Sequence, residues 1–281
     1  MNPILSLFTD IFVNPTVNLV SAIYHSLLFL HVPSALGFSI ILLTVLIRLI
    51  LYPLTSSQLK TSKKMQQLAP RLNRLKQMHK NDAKKLQVET MKLYKEHGVN
   101  PAAGCLPLII QLPIIWGLYS VLRSIVNADQ KQVLSFVNHA VYFPSLRITS
   151  AWDTNFFGFP LGKSPSMLFH AQPLILLVPV LTAVFQFVQA KMMVPALEAE
   201  EKVKETIEKK KDDDFATAFQ TQSLYIFPLM IGFFSWSFAI GLSFYWNTFT
   251  IFGILQQYMI GGLGGLTDWK NTYAKKIGIQ K

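Results

Sequence analysis

One charged side chain lies where charge is costly. Arg48 sits in the run Thr44-Val45-Leu46-Ile47-Arg48-Leu49-Ile50-Leu51, and the next basic residue is Lys60. An Arg side chain snorkels over only a few residues' rise, so it cannot reach water across that distance. A guanidinium near a bilayer centre costs about 2.5–3.5 kcal/mol on insertion scales. No Asp or Glu occurs in any of the chain's long apolar runs to pair with it. Two arrangements solve the problem. Arg48 faces a hydrated polar cavity, or it anchors to the carbonyls of a neighbouring helix.

Other polar residues of the apolar runs bear on that choice. Thr44, Gln111, Gln186, Gln189, Gln256 and Gln257 could line the same cavity. Each alone is more often an ordinary interhelical hydrogen-bond partner. Taken with an unpaired arginine they predict a polar, positively charged groove inside the membrane. Its chemistry would be attraction of acidic or polar chain segments. No nucleophile–base pair, paired carboxylates, phosphate loop or metal motif is present, so the expectation is a non-enzyme without cofactor. Cys105 is the single cysteine, which excludes an intramolecular disulfide. The six histidines are scattered without ligand spacing.

The elements that must hold these residues follow from hydropathy. The chain is 51% hydrophobic and only 15% charged, against about 25% charged in a soluble domain. Mean hydropathy is +0.34. Apolar runs at 36–54, 104–125 and 171–190 each have the ~20 residues of a transmembrane helix. The run 224–260 would be about 55 Å long as one helix, too long for a ~30 Å hydrocarbon core. It must turn back near 238–241, giving spans 221–238 and 241–260. The expectation is an all-α polytopic membrane protein with five transmembrane helices.

Charge sets the orientation. Net charge is +11. Segments 55–100, 191–220 and 261–281 carry twenty-one basic residues, and the opposite side carries four, Arg123, Lys131, Arg147 and Lys163. The positive-inside rule then puts 1–35 and the loop 126–168 outside and the basic tail in the cytoplasm. No Lys or Arg precedes Arg48, so the basic n-region of a cleaved signal is not expected.

Three further segments have their own patterns. In 15–30, Val17, Val20, Tyr24, Leu27 and Leu28 recur at helical spacing against Thr16, Asn18, Ser21 and His25. That predicts an amphipathic helix in the outer interface, with a sixth span as the alternative. In 57–97, Met65, Leu68, Leu72, Leu75 and Met78 form one seam. Leu86, Thr90, Leu93 and Tyr94 form another, with Val88 and Met91 beside it. This reads as a basic cytoplasmic helical hairpin, kinked or restarted at Pro70 and capped at Asn81 or Asp82. A solvated loop that only sets topology is the plainer alternative. Residues 196–214 read as a charged linker helix with i, i+4 pairs such as Glu198–Lys202.

These residues carry a resemblance. Val99-Asn100-Pro101-Ala102-Ala103-Gly104-Cys105-Leu106-Pro107, followed by Gln111-Leu112-Pro113-Ile114, resembles the signature of the YidC/oxidase-assembly/Albino insertases. So do Ile47-Arg48 with Pro53-Leu54, the stretches 66–75 and 186–193, and Tyr245-Trp246 with Gln256-Gln257. The likeness covers nearly all of 36–260, and the length fits the shorter bacterial form. It implies five helices around a hydrophilic groove open to cytoplasm and lipid and closed to the outside. It implies the groove arginine at Arg48, its polar neighbour at Thr44, the groove glutamine at Gln189 (with Gln186 an alternative) and the substrate-contacting aromatic at Trp246. The usual proline near Ala239 is absent, and the family's frequent asparagine falls on Thr250. Implied partners are nascent membrane proteins, the Sec translocon, the ribosome and membrane lipids, with no small-molecule substrate. The implied location is the bacterial inner membrane. A small-solute transporter would also use a buried arginine, but the inverted repeats usual there are not evident.

Overall fold

A computed structural model describes residues 3–80, 82–100, 106–126, 130–193 and 215–267. The charged run 196–214, the motif residues 101–105, Asn81 and the tail beyond 267 lie outside the described residues. The described chain is mostly helical and divides into two compact units. The first comprises Met1–Ile50, Leu108–Gln186 and Phe227–Phe252; the second comprises Leu51–Pro107, Phe187–Ile226 and Gly253–Lys281.

The first unit begins with α1 (Pro3–Phe8), which passes through a π turn (Thr9–Val13) into α2 (Asn14–Phe29). Helix thus starts well before residue 15. Its faces also differ from the amphipathic expectation. Asn18 and Ser21 are buried, whereas Leu28 and Phe29 are exposed. The reason is a specific partner. Asn18 Nδ2 donates to the Ala140 carbonyl (2.9 Å), and its Oδ1 accepts from the Tyr142 amide (2.7 Å). Polar atoms turned inward and large apolar groups turned outward suit a lipid surround.

Helix α3 (Ala35–Ile50) packs along α2. The core joins Val17, Val20 and Leu27 to Leu36, Ile40 and Leu43 of α3 and to Leu118, Val121 and Leu122 of α6 (Leu106–Val126). Gly37 makes room there, because a Cβ on it would lie 1.9 Å from the Phe156 ring. The loop after α6 is not featureless. It contains α7 (Gln130–Ala140), whose Val133 and Val137 join the core. It also contains a two-residue antiparallel pairing, Asn155–Phe156 with Phe159–Pro160. That small hairpin turns through Phe157 (φ 49°) and Gly158 (φ 87°), the positive-φ pair of a tight hairpin turn.

After α8 (Pro165–Leu168) come α9 (Leu177–Met193), α10 (Phe215–Ser237) and α11 (Ile240–Gly261). The chain turns at 238–239. The start of α11 is held by the loop: the Ile240 amide donates to the Lys163 carbonyl (3.0 Å) and the Gly241 amide to the Leu161 carbonyl (2.6 Å). A buried hydroxyl ladder ties α9, α10 and α11 together, Thr182 to Ser235 (3.1 Å) and Ser235 to Ser243 (2.8 Å).

The second unit carries α4 (Tyr52–Met78) and α5 (Ala83–Glu96). Helix α3 stops at Ile50 rather than 54, and α4 starts beside Pro53, where a missing amide is harmless. The helix runs on through Pro70 to Met78. Asp82 caps α5 by accepting from the Lys85 amide (2.9 Å). The two helices pack together around buried Leu68 and Leu93. Met78, Val88 and Met91, assigned to or beside the apolar seam from spacing alone, are exposed.

Among the described residues, two helices are long and apolar enough to cross a membrane, Ser6–Phe29 and Pro173–Met193. A third is reached if Ala35–Ile50 is joined to Tyr52–Met65. The chain is an all-α membrane protein apart from the short β pairing.

Candidate functional site

Arg48 lies in the last turn of α3 and is 5% exposed. Its Nη2 donates to the Phe249 carbonyl on α11 (2.6 Å). Its guanidinium carbon sits 3.4 Å from the centroid of the Phe249 ring and 5.9 Å from that of Phe252. A cation over an aromatic face gains about 2 kcal/mol or more when desolvated. The partners are a carbonyl and two rings, none a carboxylate. The carbonyl anchor is therefore present. The anchor leaves Nε buried without an acceptor among the described residues.

Phe249 belongs to an aromatic stripe on α11. Tyr245 stacks on it with centroids 6.0 Å apart, and Tyr245 itself is 1% exposed. A buried phenol needs a partner. Gln111 of α6 supplies it, its Nε2 donating to the Tyr245 hydroxyl. A continuous path of contacts thus runs from Gln111 through Tyr245 and Phe249 to Arg48.

The other candidates divide. Thr44 is fully buried, and its hydroxyl donates to the Ile40 carbonyl of its own helix (2.6 Å). That back-bond leaves only its lone pairs for another group. Gln186 reaches α11, its Nε2 donating to the Thr250 hydroxyl (3.2 Å), which donates in turn to the Trp246 carbonyl (2.8 Å). Trp246 is half-buried, and its carbonyl is the group engaged. The first unit therefore gathers Arg48, Gln111, Gln186 and the Trp246 backbone around α11. Gln189 is half-buried in the second unit.

Gln256 and Gln257 also lie in the second unit and form a separate cluster. Gln256 Nε2 donates to the Thr55 hydroxyl (2.7 Å), the Ser56 hydroxyl (3.0 Å) and the Tyr52 carbonyl (3.2 Å). The Oε1 atoms of Gln256 and Gln257 and the Nε2 of Gln58 are buried without partners among the described residues. Such polar density at the start of α4 is costly unless water or another chain reaches it.

Phe249, Tyr245 and Asn247 were missed as site residues by sequence reasoning; Asn247 Oδ1 is buried without a partner. A signal existed. Tyr245, Phe249 and Phe252 repeat at four and three, on one face of a helix. Among the described residues no group of three or more His, Cys, Asp or Glu could hold a metal.

Comparison with known proteins adds an independent line. The family described as "60Kd inner membrane protein" matches residues 28–263. The chain is 33% identical over 258 residues to "Inner membrane protein ALBINO3, chloroplastic" of Arabidopsis thaliana, covering 88% of this chain and 51% of that one. It is 35% identical over 225 residues to "Membrane protein insertase YidC" of Fusobacterium nucleatum, covering 80% of this chain and 85% of that one. The protein of that name in Rickettsia prowazekii is 32% identical over 228 residues, 80% of this chain and 35% of its own length. The chain thus spans about half the length of the plant relative and a third of the rickettsial one.

Proposed function

Because the chain belongs to the 60Kd inner membrane protein family, we propose that it is a membrane protein insertase, passing polar segments of nascent membrane proteins across the bilayer while their apolar helices enter lipid. The observation that carries this is Arg48. A cation is held inside an apolar helix by one carbonyl and two rings, with Nε left over as a donor. A carboxylate on a client segment would complete that donor set, since guanidinium matches a carboxylate fork to fork.

The physical task is desolvation. A polar segment must cross about 30 Å of hydrocarbon. A hydrated half-channel beside Arg48, Gln111 and Gln186 shortens the dry path, and the positive charge acts more strongly there than in water. Transfer of the client's apolar helix into lipid supplies the driving force. Trp246 and Gln189 are the proposed contacts for that helix. This work needs no covalent chemistry and no cofactor.

The topology we propose is five spans, at 36–54, 104–125, 171–190, 221–238 and 241–260, with Ser6–Phe29, itself long and apolar enough to cross, as a sixth in the alternative. The N-terminal segment and the loop 126–168 lie outside, and the basic hairpin and tail lie in the cytoplasm of a bacterial inner membrane. The twenty-one basic residues on one side support this. The hairpin's exposed cations suit contact with a ribosome or with the Sec translocon.

The deciding experiment reconstitutes the purified chain in liposomes and offers a single-span client with an acidic translocated segment. Insertion without leak of small solutes is expected. Solute flux without insertion would favour a transporter instead.

A further inference from the structure

A cavity of about 400 Å³ opens in the first unit, away from Arg48 and its partners. It lies where the last turn of α6 meets the 160–167 loop and the turn between α10 and α11. Arg123 and Lys163, two of the four basic residues on that side of the chain, both line it. Among the described residues neither is paired with a carboxylate. Asp153 of the loop accepts from the Asn155 amide (2.9 Å). Buried Ser164 adds a hydroxyl to the polar wall. Leu122 and Phe238 add apolar lining.

The geometry points to a binding site for the phosphodiester headgroup of an anionic phospholipid. Three facts select that class. Two cations line one cavity, one a planar fork and one a point charge, which together suit a phosphate oxygen set. The cavity sits at the ends of three apolar helices, the level at which headgroups lie. Its lining holds cationic and apolar groups together, as a lipid joins phosphate to glycerol and acyl chain. Inorganic phosphate would leave Leu122 and Phe238 unused. The volume falls within the ~300–1,000 Å³ of small-molecule sites. The insertase reading is not needed for this site, and Arg48 takes no part in it.

The test is native mass spectrometry of the full chain in mild detergent, titrated with phosphatidylglycerol or phosphatidylcholine of identical acyl chains. Phosphatidylglycerol should be retained preferentially. Arg123→Gln and Lys163→Gln should each weaken that retention about fivefold, the effect of one cation near a lipid surface. Lys131→Gln and Arg147→Gln, which remove the same charge outside the cavity, should leave it unchanged. Equal retention of the two lipids by the unaltered chain overturns the site, whatever the variants do. Equal losses from cavity and control variants overturn it too. Displacement of the lipid by millimolar inorganic phosphate would reduce it to a simple anion site and reject the lipid assignment.

Discussion

Arg48 and Phe249 are joined twice, by a 2.6 Å hydrogen bond from the guanidinium to the Phe249 carbonyl and by stacking of the same guanidinium 3.4 Å from the ring centroid. One residue thus provides both the lone pair and the π face. The backbone bond survives any side-chain change at 249, whereas the stack does not. The two contributions can therefore be separated.

Phe249→Leu should keep the carbonyl contact and lose the stack. It should lower thermal stability by about 2 kcal/mol or more, the worth of a desolvated cation–π contact, and leave client insertion largely intact. Arg48→Lys should retain substantial insertion because the charge persists. Arg48→Ala should still accumulate in the membrane, since it removes a costly intramembrane charge. It should fail with acidic clients, and neutralising the client segment should restore part of the yield. Normal insertion of acidic clients by Arg48→Ala would leave Arg48 a structural anchor only.

The Gln111–Tyr245 bond should show as coupling. Tyr245→Phe strands the Gln111 amide and should cost about 1–3 kcal/mol. Gln111→Leu strands the phenol at similar cost. The double variant should lose less than the two singles combined, by about 0.5 kcal/mol or more. Thermal unfolding in detergent measures all four members of the cycle, and strict additivity would mean the bond contributes nothing.

Space is tight at the start of α11. A Cβ on Gly241 would meet Leu122 Cδ2 at 3.0 Å and the Leu161 carbonyl oxygen at 3.2 Å. Gly241→Ala should therefore destabilise by about 1–3 kcal/mol, the range for overpacking. Shortening the obstacle should compensate, so Gly241→Ala with Leu122→Val should be more stable than Gly241→Ala alone.

The α4–α5 pair is expected to serve clients rather than folding. Replacing residues 62–96 by a short linker should leave a protein that purifies as a monodisperse membrane protein but no longer inserts clients.

What could be read from sequence was what hydropathy and charge encode. Arg48 stood out because nothing in the chain could neutralise it, and the break between α10 and α11 followed from length alone. Facing was harder. Asn18 and Ser21 read as the wet side of an interfacial helix, but both are buried, and Asn18 turns inward to hold Ala140 and Tyr142. Helix α7 lay hidden in a segment of ordinary composition, because its 3.6-residue period spans only eleven residues. Phe249 was legible only in part, through its place on the aromatic face of α11. Its carbonyl, which every residue has, is half of what it contributes.

The two amides at the start of α11 fix a height. Leu161 and Lys163 hold Gly241 and Ile240 by their carbonyls, and Phe249 lies nine residues further on, about 13 Å along the axis. The short stretch 161–163 is thus a depth stop for the carbonyl that Arg48 grips. Lengthening or shortening the loop by a residue would slide the whole rod, and with it the level in the bilayer at which the positive charge is held.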